Sequence, residues 1–489
     1  MTRKDFLFAS GAFLAAEGFT GCAAARAVGL AAGGVKLRFG VVSDVHLSSA
    51  GVRNAHCGDT TLLERAFTYF RDQGADAVMI AGDIADWGLV DQLVAAGEAW
   101  KRVFPGNRGK DGKPVEKLFV YGNHDHEGWK YGYETRYKVP HDFFTDEKKI
   151  CSDFAAAWKL AFGEDYSEIW LKEVCGYKFV GCNLLQYPKN CRFLEEHRAE
   201  LAGEKPFFYV QHYHLRGTTA APYVWGQDGG YSTAALAKFP NAVAFSGHSH
   251  TPLADERVFW QGAFTSVGTA SLRYLIPLGG RENAPLFGVE NPNVRQMAKL
   301  DDGLAQHGLL VSVYDDAITF ERRDFTCGLP VGRDWVMPLP FDGSLSRERR
   351  AAAAEIPQFA AEAKAVVSSR RGKDSLGHEL DQVVVTFPAA KTPVKAHDYE
   401  VTVEVEEVDT AKTGSVKRVY APDFCRALAK NVVPVECVFA EKELPKPYRE
   451  GWGEKRLQRW PNGVRYRFAV RPCNCWGKKG EAIFSEWKD

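Results

Sequence analysis

Five short stretches place carboxylates, imidazoles and one amide at the ends of apolar runs. They are Ser43-Asp44-Val45-His46, Gly82-Asp83-Ile84-Ala85-Asp86, Gly122-Asn123-His124-Asp125, Gln211-His212-Tyr213-His214 and Gly247-His248-Ser249-His250. Any one of them reads as an ordinary polar turn, because Gly, Asn and Asp all tolerate turn backbone. Five together read as one site. Asp, His and Asn are ligands for divalent ions, and mixed nitrogen and oxygen donors suit zinc, manganese or iron better than magnesium. On extended backbone, Asp44-x-His46 and His248-x-His250 would each put two side chains on one face. Asp83 can bridge, since a carboxylate has two oxygens. Two ions about 3.5–4 Å apart can activate a water and hold both ends of an in-line phosphoryl displacement.

Such a site needs elements that gather distant segments. Residues 37–45 and 75–83 are short apolar runs, as buried strands should be. Between them, Thr61-x-x-Glu64 has the form of a capping box, and Leu62, Leu63, Ala66, Phe67 and Phe70 recur at helical spacing. An Ala-rich helical stretch reaches about Phe104, and residues 117–123 supply a third strand. This βαβαβ order predicts a mainly parallel sheet with helices on its faces, and ligands bind beyond the carboxyl ends of such strands. Further strands are expected over 177–185, 206–212, 242–248 and 264–272, with a helix through 192–201. Residues 308–325 read as a hairpin turning at Asp315-Asp316. The aromatic stretch 126–144, with Trp129, Tyr131, Tyr133 and Tyr137, reads as a long loop suited to binding.

In this order and spacing, SDVHL, GDIAD, GNHD, YVQHYH and GHSH resemble the calcineurin-like metallophosphoesterases over roughly residues 36–325. The resemblance implies a two-sheet αββα sandwich and hydrolysis of phosphomono- or phosphodiesters by in-line attack of a hydroxide shared by two ions. It implies that Asp44, His46, Asp83 and His250 hold one divalent ion. It implies that Asp83, Asn123, His212 and His248 hold the second, the ions being Mn, Zn or Fe. By the same match His124 binds the phosphate and protonates the leaving oxygen. Asp86 takes the place of the acid that orients this histidine, and a nearby carboxylate would keep the imidazole protonated. Gly122 is expected to let the backbone turn tightly, and Asp125 to serve as a structural hydrogen-bonding residue. His212 rather than its neighbour His214 occupies the ligand position, and His126 and His141 read as loop residues. Asp86 has a second reading as a helix N-cap. Purple acid phosphatases carry a metal-binding tyrosine where Asp86 stands, so no iron–tyrosinate colour is expected.

The rest of the chain sets the context. Its 489 residues are 45% hydrophobic and 25% charged, with formal net charge +0, a globular composition long enough for two or three domains. Balanced charge argues against non-specific nucleic-acid binding. Residues 1–21 read as an export signal: a basic MTRKD start, then an apolar run over 6–16 too short to span a bilayer. Phe19-Thr20-Gly21-Cys22 resembles a bacterial lipobox, so Cys22 is expected to carry a lipid and hold the protein to a membrane, in the periplasm or at the cell surface. A plain secretory signal is the other reading, and TRKDFLFASG also resembles a twin-arginine signal with Arg3-Lys4 in place of two arginines. Export would permit some of the remaining ten cysteines to bridge, with pairing the sequence does not give. The phosphoesterase domain is placed at 36–330 and a partly helical linker at 331–378. Residues 379–489 alternate with period two and predict an all-β sandwich whose last strands resemble a fibronectin type III-like domain. Beside the expected small phosphate-ester substrate stands the alternative of a cell-surface glycan- or protein-binding protein on a metallophosphatase scaffold. The loop aromatics, with Tyr213, Trp225, Arg273 and Tyr274, could stack on a base or sugar, or simply pack.

Overall fold

The computed structural model describes residues 34–48, 60–126, 154–184, 186–219, 228–277, 281, 305–373, 377–406, 412–427, 434–444 and 465–488. The signal segment, Cys22, Cys57, Cys151, Trp129, Tyr131, Tyr133, Tyr137, His141 and Trp225 lie outside the described residues.

The strands in chain order are β1 (Leu37–Val42), β2 (Ala77–Ala81), β3 (Glu116–Val120), β4 (Ile169–Val174), β5 (Tyr177–Cys182), β6 (Phe207–Gln211), β7 (Ala242–Ser246), β8 (Phe259–Gln261), β9 (Thr265–Gly268), β10 (His307–Val313), β11 (Ala317–Asp324), β12 (Leu329–Pro330) and β13 (Trp335–Pro338). One sheet runs β12-β11-β10-β1-β2-β3, with β13 paired to β11; a second runs β4-β5-β6-β7-β9-β8. Pairings β1–β2–β3 and β5–β6–β7–β9 are parallel, and the strands added at the flanks are antiparallel. The expected mainly parallel sheet is thus two mixed sheets with parallel centres. The parallel centres are what align the carboxyl ends of β1, β2, β3, β6 and β7.

Alternation along the strands divides their side chains between two layers. Phe39, Val41, Met79, Ala81, Leu118 and Val120 face Phe179, Phe208, Val210 and Phe245 of the other sheet. The Phe39 ring lies 5.3, 4.8 and 5.8 Å from those of Phe179, Phe208 and Phe245. Outward, Val78, Ile80 and Phe119 pack on α1 (Thr61–Asp72), α2 (Val90–Val103) and α3 (Phe154–Phe162). Behind the second sheet, Val180, Phe207, Tyr209 and Ala244 pack on α4 (Tyr187–Glu196), α5 (Arg198–Leu201) and α6 (Tyr231–Leu236). Helix, sheet, sheet, helix is the αββα sandwich that the motifs implied.

Two local expectations shift. The helix begins at Thr61, so its N-cap is Thr60, whose hydroxyl sits 2.5 Å from Glu64 Oε1. The capping residue must stand outside helical backbone, and Thr61 is already inside it. The helix over 192–201 is two segments, broken at His197 between α4 and α5.

The C-terminal strands are β14 (Val366–Lys373), β15 (Glu379–Phe387), β16 (Asp398–Val405), β17 (Lys412–Tyr420), β18 (Val435–Ala440), β19 (Tyr466–Cys473) and β20 (Ile483–Phe484). They form one three-stranded sheet, β14-β15-β18, and one of four strands, β17-β16-β19-β20. The stretch 331–378 holds the expected short helix, α7 (Arg347–Ala353), but also β13 of the first sheet and β14 of the last part. β14 is exposed and largely polar and β13 is only four residues long, which hid their period in the sequence. One core runs across this join, from Phe39 and Phe320 through Phe259 and Trp335 to Phe387, Tyr399 and Val470. Hydrogen bonds follow it: His307 Nε2 donates to Cys425 O at 2.8 Å while its Nδ1 accepts from Leu253 N at 3.1 Å. The eight described cysteines, Cys175, Cys182, Cys191, Cys327, Cys425, Cys437, Cys473 and Cys475, are all free thiols.

Candidate metal centre

All seven candidate ligands lie just past a strand. Asp44 and His46 follow β1, Asp83 follows β2, Asn123 follows β3, His212 follows β6, and His248 and His250 follow β7. Backbone bonds stitch these ends together. Asp44 N donates to Gly82 O at 3.0 Å, Val45 N and His46 N donate to Asp83 O at 2.8 and 3.0 Å, and Gly247 N donates to His212 O at 3.0 Å.

The ligand backbone is not extended. Asp44, His46, Asp83, His248 and His250 have φ of 51°, 47°, 52°, 67° and 53°. Left-handed backbone is uncommon for residues with a Cβ and costs on the order of 1 kcal/mol or more each. The same-face argument from strand alternation therefore does not apply to Asp44-x-His46 or His248-x-His250. Their side chains converge because the chain leaves each strand through a sharp left-handed kink.

Gly122 likewise serves another purpose than a tight turn. A Cβ there would meet Asp83 Oδ1 at 2.2 Å, Asp83 N at 2.5 Å and His212 Cδ2 at 2.8 Å. The glycine makes room for two ligands to approach the β3 end. Asp125 is buried and accepts from Ile84 N, Ala85 N and Gly122 N at 3.2, 2.6 and 2.8 Å, tying the loops after β2 and β3 together. Burial and the nearby Asp83 push its carboxyl up, which suits a hydrogen-bonding role rather than a ligand's.

Three groups of ligand atoms each lie within 4.8 Å of one another: Asp44, His46 and His250; Asp83, His212 and His248; and His46, Asp83 and His124. His250 Nε2 is 3.0 Å from Asp44 Oδ1, His212 Nε2 is 3.1 Å from Asp83 Oδ2 and 2.9 Å from Asn123 Oδ1, and His46 Nε2 is 3.7 Å from Asp83 Oδ2. His214 turns aside, its Nδ1 3.2 Å from Ser246 Oγ and 3.3 Å from Thr219 Oγ1. His126 packs its ring 4.7 Å from that of Phe154.

The donor set asks for a cation. His212 Nδ1 donates to Ala81 O at 2.8 Å, His250 Nδ1 to Tyr274 O at 2.9 Å, and His46 Nδ1 to Asp86 Oδ1 at 3.1 Å. Carbonyl and carboxylate oxygens only accept, so each neutral ring keeps its proton on Nδ1 and turns a bare Nε2 inward. His46 Nε2 and His250 Nε2 then face each other at 3.2 Å. Two lone pairs this close repel unless a positive charge lies between them. The same demand shows in the titration behaviour. Burial works against ionised Asp44, yet His250, His212 and Ser43 outweigh it and hold the carboxyl well below its usual range. Burial also works against charged His212, yet Asp83 and Asp44 push it up to about 9. Anionic oxygens and inward lone pairs in a dry pocket fit divalent ions.

Asp86 does something other than expected. Its carboxylate holds His46, and it is the Asp86 carbonyl that accepts from His124 Nδ1, at 2.7 Å; its carboxylate is 3.6 Å from that nitrogen. Nor does Asp86 cap a helix, since α2 starts at Val90 behind Leu89. The His124 amide donates to Asp83 Oδ1 at 2.8 Å.

Residues 37–252 match the family model described as calcineurin-like phosphoesterase. The chain carries a calcineurin-like phosphoesterase domain. It is a phosphoric ester hydrolase, with its candidate metal-binding residues gathered at one end of the phosphoesterase sandwich. No curated protein matches the sequence. Among solved structures, similarity extends to a dimetal phosphatase from Danio rerio, 13% identical, with 63% of this chain and 100% of that one covered at a TM-score of 0.36. It extends also to the purple acid phosphatase PPD1 of yellow lupin, 13% identical, covering 66% and 57% at a TM-score of 0.38.

Several contributors to the phosphoesterase site carried no signal in the sequence. Ser43 Oγ lies 2.5 Å from Asp44 Oδ2 and accepts from Thr269 Oγ1 at 2.6 Å, and Ser271 Oγ donates to Asp44 O at 3.0 Å. They are single hydroxyls after a strand, indistinguishable from turn residues until the fold places them. Of the aromatics singled out from the sequence, the ring of Tyr213 lies 4.6 Å from that of His248, and the ring of Tyr274 lies 4.1 Å from that of His250.

Proposed function

We propose that the site hydrolyses phosphate esters with two divalent ions, Mn, Zn or Fe, held by the residues named above. Asp44, His46, Asp83 and His250 would hold one, and Asp83, Asn123, His212 and His248 the other. The observation that carries this reading is that Asp83 belongs to two of the three ligand groups. Bound there, the ions would supply Lewis acidity and an activated water. The chain's own residues do the rest. The Nδ1 anchors on Ala81, Tyr274 and Asp86 fix the ring planes, so little reorganisation is needed when the phosphate arrives. His124 is held through Nδ1 on the Asp86 carbonyl, and its Nε2 would face the substrate. As an imidazolium it can hydrogen-bond a phosphate oxygen and pass its Nε2 proton to the departing alkoxide.

The test is hydrolysis of nitrophenyl mono- and diesters after loading with Mn, Zn, Fe or Mg, with bound metal counted. His124→Ala is expected to keep both ions and lose about 10²–10⁴-fold in kcat on substrates with poor leaving groups. Unchanged activity in that variant would remove the general acid. Unloaded and loaded protein of equal activity would remove the metals.

We further propose export with a lipid on Cys22, supported by the basic start, the apolar run and the small residues before the cysteine. A Cys22→Ser chain that still sediments with membranes would sink the anchor. The fibronectin type III-like reading of the C-terminal part is supported by the seven strands among its described residues, split three and four. The first, second and fifth share one sheet, with the third, fourth, sixth and seventh in the other.

A further inference from the structure

The segment after β9 runs along the rim of the metal centre and is fixed at both sides. Leu272 N donates to Ser43 O at 3.0 Å, and Ile276 N donates to His250 O at 2.8 Å. Between them, Ser271 Oγ accepts from Arg273 N at 2.8 Å while it donates to the Asp44 carbonyl. The next residue, Tyr274, gives its carbonyl to His250 and lays its ring against His250 and His46. Arg273 is thus pinned between two ligand loops.

Several other arginines withdrawn from water meet a carboxylate: Arg257 with Asp255, Arg281 with Asp398, Arg322 and Arg350 with Glu256. Among the described residues the Arg273 side chain makes no hydrogen bond or ion pair, although it is partly withdrawn from water. A partly desolvated cation with no direct ion pair is costly, and a guanidinium is shaped to hold two oxygens of a phosphate at once.

We infer that Arg273 anchors the substrate, pairing its guanidinium with the non-bridging oxygens of the phosphate and favouring a monoester dianion over a singly charged diester. The inference rests on the phosphoesterase reading of the site and adds the substrate class to it. A diester offers one negative charge and a second organic group; a monoester offers two charges and two or three free oxygens, so the guanidinium gains more from it.

Orthophosphate titrated calorimetrically into the metal-loaded full chain reads the anchor without turnover. Arg273→Ala is expected to weaken phosphate by about 10–100-fold and Arg273→Lys to recover part of it, with both ions retained. On nitrophenyl phosphate, kcat/KM should fall by a similar factor in Arg273→Ala, mostly through KM, and on bis(nitrophenyl) phosphate by less than about fivefold. Unchanged phosphate binding, an equal loss on both esters, or loss of metal from Arg273→Ala would each overturn the anchor. A wild-type chain that binds phosphate through Arg273 but hydrolyses neither ester would keep the anchor and sink the hydrolase mechanism.

Discussion

Asp83→Asn should lose more than any other ligand variant, about 10³-fold or more in kcat/KM, beyond the ~10–100-fold typical when only a partner of a ligand is changed. The reason is geometric. Asp83 Oδ2 is 3.1 Å from His212 Nε2 and 3.7 Å from His46 Nε2, and its Oδ1 accepts the His124 amide. One side chain therefore serves both ligand groups and also aims the general acid. Asparagine keeps the shape but gives up the charge and one acceptor oxygen. The amide nitrogen must then face either imidazole lone pairs or the His124 N–H, and the second choice sets donor against donor. The expected readout is metal content falling from two ions to fewer than one, with the fold kept. A variant that holds two ions and retains a tenth of the activity would mean that Asp83 does not bridge.

Gly122→Ala is the second large effect, although it removes no functional atom. A Cβ placed 2.2 Å from Asp83 Oδ1 and 2.5 Å from Asp83 N cannot be absorbed by a flexible tip, because part of what it strikes is backbone. Overpacking of this kind costs about 1–3 kcal/mol or more. Here the strain falls on the bridging carboxylate and on His212, so activity should drop with metal affinity while the sheets persist. Circular dichroism close to wild type with metal loss of at least about tenfold in affinity is the expected pair of observations. Full metal occupancy in Gly122→Ala would show that the β3 loop has room to spare.

Which residues meet was legible because their chemistry is type-specific. Carboxylates and imidazoles at five strand ends have few joint purposes, and the apolar runs before them are long enough to mark strands. How they meet was not legible. The periodicity that identifies β1 says nothing of Asp44 beyond it, and the left-handed kinks at Asp44, His46, His248 and His250 place the side chains where no alternation rule would. The Asp86 carboxylate reaches His46 rather than His124 because the turn after β2 leaves its carbonyl as the nearer acceptor for His124, a choice invisible in the spacing of GDIAD. Thr60 rather than Thr61 stands at the N-cap position of α1, because two adjacent threonines offer the same signal one residue apart. β13 and β14 went unread inside 331–378 because short or exposed strands carry little hydrophobic contrast.

The unbroken apolar interior has a consequence for how the polypeptide holds its shape. Phe259, Phe320 and Trp335 on one side and Phe387, Tyr399 and Phe424 on the other occupy a single oily interior, with Asp324 accepting from Ala427 and His307 bonded to Cys425 at its margin. A polypeptide ended near 378 would strip that side to water and strand β14 without β15. The hydrolytic half thus borrows its rigidity from the sandwich, and the two halves are bound to melt as partners rather than as beads on a string.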